Sequence, residues 1–220
     1  MFSSQRHISR AARRWASTGT GKNYFQLFPK SFPNQGPPKD LFLVNARTLR
    51  KEFRALQSQN HPDIIMGSLS FSENKGIDET SSSINRAYSV VKNPYMRAAH
   101  IIELLHPEHF DITTDETSKQ LISKLKSNSA QSLNYEELLM TVLEAHEALE
   151  MANRELDLDV VQTENDERID ECEKEIAKLL GSQPIDWDKI IAEAIKLKYW
   201  ANIANGIKEW EQGKPVLLTH

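Results

Sequence analysis

NARTLRKEFRALQSQNHPD, residues Asn45–Asp63, is the stretch whose reading decides the fold. Leu49, Phe53 and Leu56 recur at helical spacing, and Arg47, Arg50, Lys51 and Arg54 stand three and four apart beside them. Asn45 suits a helix N-cap, and Val44 just ahead of it can meet Leu49 as a hydrophobic staple. Pro62 pushes His61 out of the helical region, so the helix is predicted to end near Asn60. Beyond it, the glycine- and serine-rich residues 66–77 read as a loop. Ile84, Ala87, Tyr88 and Val91 then predict a second helix over about 78–92. Two amphipathic helices with a proline-braced tripeptide at the start of their connection make a helical hairpin that presents His61-Pro62-Asp63 outward.

The flanking segments support an all-α chain. Asn23-Tyr24-Phe25-Gln26-Leu27-Phe28 predicts a short apolar helix or turn packed on the hairpin, followed by prolines at 29, 33, 37 and 38. Asn93-Pro94 sets a cap and first position for a helix through Ala98, Ile101, Ile102 and Leu105, closed by His106-Pro107. Residues 108–117 read as a linker. A short helix is expected around Leu121, Ile122 and Leu125. Three longer ones follow: about 135–156, with Leu138, Val142, Ala145, Leu149, Ala152 and Leu156 as its core stripe; about 161–180; and, after Pro184, about 186–212. Short connections predict an antiparallel three-helix bundle. The expected organisation is a leader over 1–21, a hairpin domain over 22–107, a linker over 108–117 and a bundle over 118–220.

Composition excludes several functions. One cysteine, Cys172, permits no internal disulfide and no all-cysteine zinc site. The seven histidines do not cluster at ligand spacing, so neither a metal nor a cofactor is expected. No apolar run approaches the roughly 20 residues that cross a bilayer, so no membrane is expected. Residues 1–38 hold Arg6, Arg10, Arg13, Arg14, Lys22, Lys30 and no acidic residue, leaving the remainder strongly acidic. An acidic body does not displace the counterions of nucleic acid. Residues 1–21, cationic, acid-free and carrying Phe2, Ile8 and Trp15 among the arginines, have the composition of a mitochondrial transit peptide.

His61-Pro62-Asp63 at the bend of a helical hairpin resembles the hallmark of J-domains. Asn23-Tyr24-Phe25-Gln26-Leu27-Phe28, Ile84-Asn85-Arg86-Ala87-Tyr88 and Asn93-Pro94-Tyr95-Met96-Arg97-Ala98 are similar to stretches of one subfamily, the HscB-type J-proteins. Leu138-Leu139-Met140, with Glu144, Glu147 and Trp187, is similar to that subfamily's C-terminal bundle. With the leader, the chain resembles a fungal-type mitochondrial member, resident in the matrix. The resemblance implies a co-chaperone, not an enzyme, with two partners. One is a DnaK-type heat-shock chaperone, whose ATPase it would stimulate. The other is the scaffold on which iron–sulfur clusters are built. Some relatives carry an N-terminal pair of Cys-x-x-Cys zinc ligands that this chain lacks.

On the chaperone side the resemblance assigns His61, Pro62 and Asp63. The basic stripe of Arg47, Arg50, Lys51 and Arg54 suits an acidic partner on physical grounds. A catalytic His–Asp pair is the competing reading, but no nucleophile elbow or oxyanion loop accompanies it. On the scaffold side the resemblance implies Leu139, Met140, Leu143, Glu144, Glu147 and Tyr199. Helix geometry agrees in part, since Leu139 and Leu143 lie roughly 100° from the core stripe, apolar surface beyond what a core needs. Cys172 reads as a core residue. Weak self-association of the bundle is compatible with this picture, and a general J-protein for unfolded clients is the alternative function.

Overall fold

The computed structural model describes residues 22–60, 71–127 and 129–214; residues 1–21, the expected leader, lie outside it. Helices α1 (Ala46–Asn60), α2 (Phe71–Lys92), α3 (Pro94–Leu105), α4 (Asp115–Ser127), α5 (Ser129–Met151), α6 (Glu155–Leu180) and α7 (Trp187–Glu209) follow a short 3-10 turn at Tyr24–Leu27. No strand occurs among the described residues, so the fold is all-α as the periodicity predicts. The chain divides into two compact units, Met1–Arg97 and Ala98–His220.

In the first unit α1 and α2 pack as a hairpin. Asn45 caps α1 by accepting from the Thr48 N–H at 3.0 Å. Leu49, Ile84, Ala87 and Val91 form the buried seam, and Phe53 stacks on Tyr88 with ring centroids 3.9 Å apart. The 3-10 turn buries Phe25 and Leu27 against α2, and Phe32 meets Phe25 edge-on at 4.8 Å. Gly36, at φ 108°, sits so close to the Phe25 ring that a Cβ would fall 2.5 Å from it, so this turn admits only glycine. Asn93 caps α3 by accepting from the Met96 N–H at 3.0 Å. Arg97, buried at 2% exposure, donates to the Val91 carbonyl at 2.8 Å and lies over the Phe42 ring at 4.6 Å. A buried arginine thus supplies a donor to the carbonyl end of α2, where intrahelical donors run out.

Helix α2 starts at Phe71, seven residues before the predicted start, so the expected loop over 66–77 is helical from 71 onward. One interior glycine costs about 1 kcal/mol, and extending an existing helix needs no new nucleus.

In the second unit α7 packs chiefly on α6 and also on α5, while α4 covers α5. Leu149, Ile176, Ile190, Ala194, Leu197 and Ile203 are almost wholly buried, each large one contributing about 1.5–3 kcal/mol by leaving water. Asn165, at 0% exposure, donates from Nδ2 to the Trp200 carbonyl at 3.1 Å, fixing the register of α6 on α7. His106 meets the rings of Phe110 and Trp187 edge-on at 4.7 and 5.4 Å.

Several boundaries here differ from the sequence reading: α4 begins at Asp115, inside the expected linker, and α5 at Ser129, ahead of the predicted 135. The helix predicted over 135–156 ends at Met151, and the next begins at Glu155, not near 161. Asp157 Oδ2 accepts from the N–H groups of Asn153 and Arg154 at 3.1 and 3.0 Å, which starts α6 there. Leu156, expected in the core stripe, is therefore 69% exposed on α6.

Candidate interaction surfaces

On α1 the four predicted cations, Arg47, Arg50, Lys51 and Arg54, are all exposed on the face opposite Leu49. The single acidic residue of α1, Glu52, faces the other way and is buried. Its carboxylate accepts from the Lys30 N–H at 2.7 Å and from the Ser31 N–H and hydroxyl at 3.1 and 2.9 Å, tying the loop after the 3-10 turn to the helix. The outer face of α1 is left with positive charge and no carboxylate of the helix itself to offset it. Spacing alone does not reveal this, because Glu52 next to Lys51 reads as part of a mixed solvated face. His61, Pro62 and Asp63 lie outside the described residues, directly after the last residue of α1.

On α5 the inward line is Tyr135, Leu138, Ala145 and Leu149, all buried. Leu139 is half-buried, while Met140 and Leu143 are 63% and 66% exposed. Glu144 and Glu147 are exposed beside them. The apolar ridge is longer than predicted, because Leu133 and Met151, 64% and 68% exposed, lie on the same outer face. Large side chains held in water along one helix face, with carboxylates among them, are the composition of a protein-binding patch.

Tyr199, from α7, is half-buried, and its hydroxyl lies 2.8 Å from that of Tyr135. Leu139 stands one turn beyond Tyr135, about 40° around the helix, so Tyr135 links Tyr199 to the α5 patch. Burial, then the Tyr199 hydrogen bond, pushes the Tyr135 phenol well above its ordinary pKa, so this phenol stays protonated. Sequence reasoning missed Tyr135 because an aromatic at a core position carries no functional signal of its own.

Two other titratable groups are buried in this unit. Cys172 is in the core, as expected, and burial followed by the nearby Glu193 carboxylate pushes its thiol up to about 12. Burial also holds His100 below its usual range, opposed by Glu103 with Oε2 3.4 Å from Nδ1. Among the described residues no group of three His, Cys, Asp or Glu side chains could hold a metal ion. No described helix is long and apolar enough to cross a membrane.

Comparisons with known proteins place this arrangement. The family model described as the HSCB C-terminal oligomerisation domain matches residues 134–208, which span α5 to α7. The mitochondrial J-type co-chaperone JAC1 of Saccharomyces cerevisiae is 29% identical over 208 residues, covering 94% of this chain and 96% of the relative. A co-chaperone protein HscB homolog of Haemophilus ducreyi is 26% identical over 196 residues, covering 87% and 96%. The solved structure of the Jac1 co-chaperone from Saccharomyces cerevisiae superposes with a TM-score of 0.59 at 28% identity, over 87% of this chain and 98% of that one. The human co-chaperone protein HscB shares the fold, with a TM-score of 0.56 at 20% identity over 87% and 83%.

A helical hairpin followed by a helical bundle, matched along most of both chains by these relatives, is the architecture of a J-type co-chaperone. More narrowly, the chain belongs to the HscB-type J-protein co-chaperones of iron–sulfur cluster biogenesis. Like its yeast relatives, which are named mitochondrial, it is a mitochondrial protein.

Proposed function

We propose that this protein binds the iron–sulfur scaffold through its bundle and brings it to a DnaK-type heat-shock chaperone of the mitochondrial matrix, whose ATPase it stimulates. Residues 22–107 act as the J-domain, 108–117 as the connection and 118–220 as the scaffold-binding bundle. On the chaperone side, His61, Pro62 and Asp63 deliver the signal. Proline restricts its own φ and the backbone before it, so little entropy is lost when the tripeptide docks. Arg47, Arg50, Lys51 and Arg54 steer an acidic partner toward it.

On the scaffold side, Leu139, Met140, Leu143 and Tyr199 supply apolar anchors, and Glu144 and Glu147 set polarity at the rim. The observation that carries this reading is the exposure of Met140 and Leu143, 63% and 66%, on a helix whose opposite face is core. Leaving such side chains in water is unfavourable unless a partner covers them.

Two variants test the two surfaces separately. His61→Gln is expected to abolish ATPase stimulation in a single-turnover assay while scaffold binding by calorimetry is unchanged; stimulation equal to the parent's would refute the role of the tripeptide. Leu139→Ala, Leu143→Ala and Tyr199→Ala together are expected to raise the scaffold Kd at least about 100-fold, roughly 3 kcal/mol. An unchanged Kd, with helix content intact by circular dichroism, would remove the scaffold claim.

A further inference from the structure

We infer that Tyr135 is a positioning residue for scaffold binding: through the hydroxyl pair it forms with Tyr199, it holds the Tyr199 ring at the edge of the α5 patch. This rests on the reading that Leu139, Leu143 and Tyr199 meet the scaffold. Tyr135 is only 6% exposed, so a partner has little direct access to it. Its hydroxyl, however, lies 2.8 Å from that of Tyr199, which is half-buried and reaches toward the surface. One phenol therefore anchors the other from inside the bundle.

Packing alone does not hold Tyr135 in place. Its side chain borders a cavity of about 260 Å³ whose apolar lining includes Leu125, Leu138, Leu179 and Ile195. Lys126 Nζ lies over the ring at 5.4 Å, an adjustable contact from a flexible side chain. With open space beside the ring, the bond to Tyr199 is the directional restraint that sets where both phenols sit. The two residues come from different helices, α5 and α7, so the same bond also sets the lateral position of Tyr199 relative to Leu139. A side chain already placed for its partner loses less freedom on binding.

The test is a double-mutant cycle with the complete chain and purified scaffold, read by calorimetry. Tyr135→Phe and Tyr199→Phe keep both rings and remove one hydroxyl each. Each is expected to weaken binding about threefold to tenfold, the range of one neutral hydrogen bond. The double variant is expected to bind no worse than either single one, since both lose the same bond. Parent-like binding by Tyr135→Phe, alongside weakened binding by Tyr199→Phe, would mean the Tyr199 hydroxyl meets the scaffold directly and would overturn the inference. Additive losses would overturn it as well.

The combined alanine variant of Leu139, Leu143 and Tyr199 separates the two levels. If that variant fails to bind while both phenylalanine variants match the parent, the surface stands and the positioning role falls. If it binds as the parent does, the surface itself is wrong and the inference falls with it. Fluorine NMR of the free protein labelled with 3-fluorotyrosine provides a measurement independent of affinity. The Tyr199 resonance is expected to be shifted and motionally averaged in Tyr135→Phe, and an unchanged resonance would overturn the inference.

Discussion

Glu52 and Cys172 show how much a single side chain's role depends on its surroundings. Both occur at helical spacing, yet one is a buried carboxylate that accepts three hydrogen bonds and the other a thiol kept neutral by burial. With its pKa at about 12, the Cys172 thiol is expected to resist alkylation at pH 8 in the folded protein and to react at once in urea, followed by mass spectrometry. Rapid labelling without denaturant would contradict the buried placement. The raised pKa also has a direction in stability. The fold favours the protonated thiol, so from about pH 9, where the unfolded chain starts to lose this proton, stability falls as pH rises toward about 12. Cys172→Ala should flatten that alkaline decline in urea titrations, with Tyr135 retaining a share of it because its phenol is shifted the same way. The core position of Cys172 is legible from periodicity. The inward turn of Glu52 is not, because it depends on a loop more than twenty positions away in sequence.

At the scale of helices, α1 and α5 each divide into a packed face and a face with no partner among the described residues of their own unit. For α1 the free face is cationic, since its one carboxylate is turned inward. Replacing Arg47, Arg50 and Arg54 together by Ala is expected to slow association with the heat-shock chaperone about tenfold at low ionic strength. The difference should shrink as salt approaches about 1 M, where the Debye length falls to roughly 3 Å. Stopped-flow association rates decide the matter, and a loss independent of salt would place these arginines in a short-range contact instead of a steering field. For α5, hydrophobic spacing locates the apolar surplus at Leu139, Met140 and Leu143, of which Met140 and Leu143 are exposed, but carries the helix too far. The break at 152–154 follows from Asp157 accepting two backbone N–H groups, a local hydrogen-bond choice that a hydrophobic stripe does not register.

For the molecule as a whole, the proposed function puts two binding surfaces on one chain. Tethering turns the second binding step into an intramolecular one at an effective concentration of order 1 mM. An equimolar, micromolar mixture of His61→Gln chains with chains carrying the Leu139, Leu143 and Tyr199 alanines contains one intact copy of each surface. That mixture is expected to give less than about a tenth of the parent's scaffold-dependent ATPase stimulation. Full restoration in the mixture would show that the covalent connection contributes nothing.

From the sequence alone come the all-α class, the first hairpin helix ending at Asn60, the caps at Asn45 and Asn93, and the basic and apolar stripes. Each rests on interactions within a few residues, where helical periodicity and cap chemistry act. Only the tertiary structure decides that Glu52 is withdrawn from the basic face, that Arg97 serves the end of α2, and that Tyr199 is joined to α5 through Tyr135. These depend on which side chains meet across helices, and that is set by packing between segments 6 to 64 positions apart, which no local pattern encodes.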